Sequence, residues 1–406
     1  MNHSYKPLLL KIIFSLFVSF FIFYLSKSYS NWINFWGFFN IPASEPFSDF
    51  KALNIFLEYK ESGFNPYYKN PNSDPVHSVL IYPSIWLYIF DFFNFKNALN
   101  FDLGTFIILF AYFFVLIDFF LKINNKYFKY LFLIFFFSTS NFLLIERLNI
   151  EIILFCLVYF ALISKSFFYQ SIFYLLGLIL KIFPIFSIFM FIHKKKNFFL
   201  IFLISITYIF LMRNEIVLIK NNVIEYALIF AYGALSISKG IYFYSTKFNL
   251  FVNNENYFFF KNFIIFGFSI IVILIILINF KFNIKKEKYQ ISNEEKMFLA
   301  GSGIFIGTFV SSANIDYRLI FLLLTLPYIL SSEKVILKNL YVISLIICFN
   351  SLIFEGGDTY TFLYFLKVFI IYSFKLCILF INCIFFGIIC NKFININFDK
   401  NFLKFN

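Results

Sequence analysis

A chain of 406 residues that is 61% apolar, 14% charged and +13 overall lies far outside the composition of soluble domains. Its apolar residues gather in long runs, for example 106–121 and 263–280, as a chain solvated by lipid requires. Cytosolic enzymes, secreted disulfide scaffolds and disordered tails are excluded, and an all-α, polytopic integral membrane protein is expected.

The 71 Phe and 27 Tyr carry little chemical information, because any apolar side chain serves on a lipid face. The basic excess recurs between apolar runs instead of forming one face, so no nucleic-acid partner is expected and the lipid bilayer is the first partner. Lys6 and Lys11 precede the run 12–25, read as a retained first span with a cytoplasmic N-terminus. A polar stretch then opens a first extracytoplasmic loop, 26–100, with juxtamembrane helices, one of them over 50–59. Further spans are expected near 101–121, 131–145, 150–164, 167–180, 183–192, 197–212, 261–280, 298–312, 317–331, 335–350 and 362–390. The stretch 167–192 is divided at Lys181-Ile-Phe-Pro184, since proline removes a backbone donor and bends a helix. With that break, lysines near 122–129, 165, 194–196, 281–296, 334–338 and 392–404 fall on one side. That is the positive-inside pattern of a multi-pass protein of the cell membrane with both termini cytoplasmic. The segment 213–257 becomes a second large extracytoplasmic loop, and 1–406 is read as a single membrane domain of about 10–13 helices.

The opposite side collects mixed-charge connections: Glu146-Arg147-Leu148-Asn149-Ile150-Glu151, Lys181-Ile-Phe-Pro184, Asn314-Ile-Asp316-Tyr317-Arg318 and Glu355-Gly-Gly-Asp358. Ionisable groups beside hydrocarbon are costly unless paired or facing a wet cavity, so the set points to a polar site at the outer surface. In the first loop, Pro46-Phe-Ser-Asp49-Phe50 places an acid near the end of the first span. Asp49 is a candidate general base for an acceptor hydroxyl, or simply part of a Ser48-Asp49 helix cap. Gly63-Phe-Asn-Pro-Tyr67 and Tyr82-Pro83 are turn and helix-start signals. Cys156, Cys348, Cys377, Cys383 and Cys390 all lie in apolar stretches and read as small hydrophobes. His3, His77 and His193 are too scattered for a metal cluster. No cofactor or metal ligand set is expected, with a divalent metal left open.

Taken in order, these motifs resemble the C-type glycosyltransferases that use polyprenyl-phosphate sugars, and most resemble glycosyltransferase family 87. Glu146 through Glu151 is similar to that family's Arg-Gly-Asn connection, with Leu148 in place of the glycine and Glu151 in place of an aspartate. Lys181-Ile-Phe-Pro184 is similar to its Lys-x-aromatic-Pro element, and Asp316-Tyr317-Arg318 to a late segment. The resemblance implies a multi-span bundle transferring a sugar, a hexose such as mannose, to a glycan or glycolipid acceptor at the extracytoplasmic face. It implies an inverting mechanism with Asp49 as base. A phosphate leaving group needs a cation more than an acid, and Lys181, Arg147 and Arg318 are the candidates. The competing roles are a snorkelling lysine, pairing of Arg147 with Glu146 or Glu151, and pairing of Arg318 with Asp316. Tyr67, Tyr82, Glu146, Asn149, Glu151, Asp316 and Tyr317 would line the substrate pocket. Two other classes remain open: an O-antigen polymerase or ligase, and a transporter or flippase, for which Asp118, Lys367 and Lys375 are the charges to watch.

Overall fold

The computed structural model describes residues 5–43, 45–68, 79–222, 231–247, 257–279, 291–355 and 361–398. His3, His77, Asp358, parts of both large loops and the lysines at 281–288 lie outside the described residues. The chain is almost wholly helical and divides into two compact units: residues 1–182 with 205–223, and residues 183–204 with 224–406.

In the first unit, α1 (Tyr5–Ser26) and α5 (Ala98–Lys122) lie antiparallel, tied by Lys11–Asp118 at one end and Lys27–Asp102 at the other. Asp118 also accepts from Tyr159 Oη at 2.6 Å and pairs with Lys122 at 2.7 Å, so three helices share one buried acid. The first loop folds into α2 (Tyr29–Phe38), α3 (Ser48–Glu61) and α4 (Ile85–Phe92). Trp32 and Trp36 of α2 are fully buried, and Phe50 of α3 packs edge-on to Phe90 of α4 at 4.8 Å. These amphipathic pieces are therefore part of the folded core. Then come α6 (Lys126–Phe136), α7 (Thr139–Arg147), α8 (Glu151–Ile163) and α9 (Phe167–Leu180). Helix α9 ends at Lys181, whose extended backbone, φ −162° and ψ 144°, is the expected break before Pro184.

Helix α10 (Lys195–Leu211) is shared between the units, and α11 (Arg213–Asn222) belongs to the first. The second unit opens on a 3-10 helix, Phe183–Phe191, then β1 (Ala231–Tyr232), α12 (Ala234–Lys247), α13 (Tyr257–Asn279) and α14 (Asn293–Ser311). It continues through β2 (Asn314–Ile315), a 3-10 helix Asp316–Thr325, α15 (Leu326–Ser331), α16 (Val335–Phe349), a short 3-10 turn and α17 (Phe362–Phe398). The two strands form one antiparallel pair with Ala231 opposite Ile315. Gly233 follows at φ +114°, and a Cβ there would stand 2.2 Å from the Ser312 carbonyl oxygen, so this turn requires glycine.

Among the described residues, four helical stretches are long and apolar enough to cross a bilayer: Pro7–Ser26, Ala98–Lys122, Tyr257–Asn279 and Leu363–Lys392. Two bent pairs, α6 with α7 at 52° and α10 with α11 at 71°, bring that to six if each is one span. The remaining expected spans coincide with shorter helices, such as Glu151–Ile163, Phe167–Leu180 and Val335–Phe349, which fall below the ~20 residues of a straight crossing. A multi-pass membrane protein is thus defined, and all five cysteines are free, four of them buried.

His193, in the connection between the 3-10 helix and α10, is held down to about 4, first by burial and then by Lys296 and Lys194. The unfolded chain therefore binds a proton that the folded chain refuses between its ordinary value of about 6.5 and about 4. Stability is present above that window and is lost as pH falls through it. The expected loss is of order 1 kcal/mol, after allowing for solvent screening at a half-exposed ring. Thermal unfolding in detergent at pH 7 and pH 4.5 should show the loss in wild type and a smaller one in His193→Gln.

Candidate functional site

The end of α7 shapes the site. Asn149 N–H bonds the Leu144 carbonyl at 3.2 Å and Leu148 N–H bonds Ile145 at 3.0 Å, which is a Schellman turn. Leu148 takes its left-handed position, φ 45° and ψ 51°. This is the conformation glycine adopts without penalty and leucine only at a cost. The leucine side chain is 1% exposed, so it contributes packing that glycine would not. Leu148→Gly should relieve about 1–2 kcal/mol of backbone strain but lose about 2–5 kcal/mol of burial. A net destabilisation of about 1–3 kcal/mol is expected in detergent-phase unfolding, and a stabilised variant would contradict it.

The turn delivers Asn149, 1% exposed, to Asp49. Asn149 Nδ2 donates to Asp49 Oδ2 at 2.5 Å and lies 3.4 Å from Tyr82 Oη, while its Oδ1 accepts from Glu151 N–H at 3.0 Å. Arg147 Nη1 stands 3.5 Å from Asp49 Oδ1 and its Nε 3.9 Å from Glu146. On the other side, the Lys181 ammonium bonds Glu151 at 2.8 Å and lies 4.8 Å from the centre of the Tyr82 ring. One cluster in the first unit therefore contains Asp49, Tyr82, Glu146, Arg147, Asn149, Glu151 and Lys181, drawn from four chain segments. Asn149, which bonds Asp49, and Lys181 both reach the same tyrosine, Tyr82.

Asp49 sits in the first turn of α3, but the capping position is Phe47, left-handed at φ 59° and without a side-chain cap. Its carboxylate faces Asn149 and Arg147 instead of the helix backbone. Phe47 N–H donates to the Glu146 carbonyl at 3.1 Å and so fixes α3 against α7. Glu146 and Glu151 are fully buried, whereas the Asp49 side chain retains 20% of its surface and Arg147 32%. The acid with access to solvent is Asp49. Charges this close in a partly desolvated setting act more strongly than on an open surface.

Tyr67 is one step removed. Its hydroxyl donates to Glu215 of α11 and lies 2.9 Å from the Tyr82 carbonyl oxygen. Burial, and then the Glu215 carboxylate, push the Tyr67 phenol well above its ordinary range, so it stays a donor. Glu215 also accepts from Ser84 N–H, and Asn222 Nδ2 donates to the Tyr67 carbonyl at 2.9 Å. Neither Glu215 nor Asn222 was expected from sequence. The only signal was a charged Arg-Asn-Glu start immediately after an apolar helix. Beside the cluster, Phe50, Trp86, Phe95, Leu103, Ile107 and Ile153 help to line an apolar cleft of about 560 Å³. Trp86 Nε1 donates to the Leu180 carbonyl at 2.9 Å, joining the cleft wall to the chain just before Lys181.

Asp316, Tyr317 and Arg318 belong to the second unit. Arg318 donates to Asn314 Oδ1 and lies 4.6 Å from the Phe183 ring centre. Asp316 does not pair with it. Its fully buried carboxylate takes Lys375 at 2.9 Å and the Ser351 hydroxyl, and Lys375 also donates to the Ala231 carbonyl at 2.9 Å. Tyr317 is 8% exposed. Among the described residues no group of three or more His, Cys, Asp or Glu could hold a metal ion.

No protein-family model, curated protein or solved structure matches this chain. Its class, a helical multi-pass membrane protein, rests on the apolar helices alone.

Proposed function

We propose that the chain is a membrane glycosyltransferase of the C-type, moving a hexose such as mannose from a polyprenyl-phosphate donor to a glycan or glycolipid acceptor at the extracytoplasmic face. The observation that carries this is the meeting of Asp49 with Asn149, Arg147 and, through Tyr82, Lys181. In this reading Asp49 accepts the acceptor hydroxyl's proton as its oxygen forms the bond to the anomeric carbon. The bond from that carbon to the phosphate oxygen breaks, and the departing polyprenyl phosphate keeps the electron pair. Asn149 orients the carboxylate, and Lys181 and Arg147 balance the negative charge that grows on the phosphate. An apolar cleft next to the charges suits an isoprenoid tail. The 10–13-helix bundle and the cytoplasmic termini belong to the same proposal. The test is transfer of radiolabel from polyprenyl-phosphate mannose to a crude acceptor pool by membranes containing the protein; no product with any polyprenyl-phosphate sugar would reject it.

A second reading, a carrier or flippase for lipid-linked sugars, is favoured by one observation, the wholly buried Asp316–Lys375 pair. Intramembrane charge of that kind is a recurrent feature of coupled transport.

A further inference from the structure

Lys194, Lys195, Lys196 and Lys296 gather at one end of the second unit, with no carboxylate paired to them among the described residues. Phe186 of the 3-10 helix Phe183–Phe191 lies against Gly303 and Gly307 of α14, where a Cβ on either glycine would collide with it. From that contact the chain reaches His193 and Lys194 going forward, and α14 reaches Lys296 going backward. Phe189 meets Phe386 of α17 at 4.9 Å, and six residues further Lys392 bonds Glu295 at 2.9 Å. The three elements end together, and the Lys194 and Lys296 ammonium groups share that end with His193, whose protonation both oppose. Lys194, Lys195 and Lys196 are exposed, Lys296 is half-buried, and none of the four pairs with a described carboxylate. Glu295 is already engaged by Lys392 and by Ser292 N–H at 3.0 Å.

Two further features say what would fit. The first bond of α10 runs from Phe198 N–H to the Lys194 carbonyl at 2.8 Å, so the N–H groups of Lys195, Lys196 and Asn197 have no backbone acceptor among the described residues. Directly beyond them, Phe199, Leu200, Phe202 and Leu203 present a wall of exposed apolar side chains. A free anion would use the cations but not the wall; an amphiphile uses both.

We infer that the cluster of Lys194, Lys195, Lys196 and Lys296 at the start of α10 binds the phosphodiester headgroup of an anionic phospholipid, with an acyl chain lying along Phe199 and Leu203. This goes beyond the sugar-transfer reading and does not depend on it. The full chain in detergent is titrated with dioctanoyl phosphatidylglycerol, dioctanoyl phosphatidylcholine and inorganic phosphate, and affinity is read from the shift in unfolding temperature. Phosphatidylglycerol should bind wild type about 30-fold more tightly than Lys194→Gln/Lys296→Gln, the factor two lysines at a lipid surface supply together. Lys194→Arg/Lys296→Arg should keep the affinity. The exposed pair Lys195→Gln/Lys196→Gln should weaken it as well, and serves if loss of the half-buried Lys296 charge impairs folding. Equal affinity across all variants, equal affinity for the choline lipid, or inorganic phosphate binding as tightly as the lipid would each overturn the inference.

Discussion

Asp49→Asn is expected to lower transfer from a polyprenyl-phosphate sugar by about 100- to 10,000-fold, the usual contribution of a positioned general base. The substitution keeps an oxygen where Asn149 Nδ2 donates at 2.5 Å, so the α3–α7 junction should survive. What is lost is the ability to take a proton, together with the charge that faces Arg147 at 3.5 Å. Unfolding temperature should therefore stay close to wild type while product formation falls. Arg147→Gln is a useful companion, because it removes a cation but leaves Lys181 in place. Its smaller loss should appear mainly as weaker donor binding. Product at the wild-type rate from Asp49→Asn would remove this carboxylate from the chemistry, whatever the fate of the other residues.

Lys375→Met should be the most damaging single change to stability, at about 3–5 kcal/mol. It strands Asp316, which has no exposed surface and whose Oδ1 meets no donor among the described residues. The pair also ties the start of the 3-10 helix Asp316–Thr325, directly after β2, to α17 and, through the Ala231 carbonyl, to β1, so the strand pairing should loosen with it. Replacing both partners, Asp316→Leu with Lys375→Met, should cost much less than the two single changes summed, because no isolated charge is left in the interior. Thermal unfolding in detergent of the four proteins completes the cycle. Strict additivity would contradict a direct buried pairing. If the double variant folds but lipid-linked sugar no longer crosses reconstituted vesicles, the carrier reading gains over the enzyme.

Part of the cluster around Asp49 was legible in the chain because Glu146 through Glu151 and Lys181 are polar residues stranded between apolar runs, where burial forces them to find partners, and Asp49 is an acid near the end of the first span. The break at Lys181 was legible for a backbone reason, the proline three residues on. Glu215 was not, since its meeting with Tyr67 closes a loop of 148 residues and depends on how α11 settles against the first loop. The pairing of Arg318 with Asp316, one of the two roles left open for that arginine, does not form. Residues two apart at the start of a 3-10 helix point in different directions, and Lys375 and Asn314 take the two side chains separately. Helix lengths were also hard to read. An apolar stretch tells where a segment prefers to be, but not whether its backbone winds tightly or loosely.

That last point has a mechanical side. The 3-10 helices Phe183–Phe191 and Asp316–Thr325 contain nine and ten residues. At about 2.0 Å of rise per residue they extend roughly 18–20 Å, whereas α-helical winding would give about 14–15 Å. Stretched thread covers more distance with fewer residues, so these two segments are longer than their residue number suggests. Rewinding the first into an ordinary helix would shorten it by about a third of a headgroup-to-midplane distance. That would draw its Phe183 and Phe191 ends toward each other, which makes helix pitch, and not only side-chain identity, a quantity this chain has to keep.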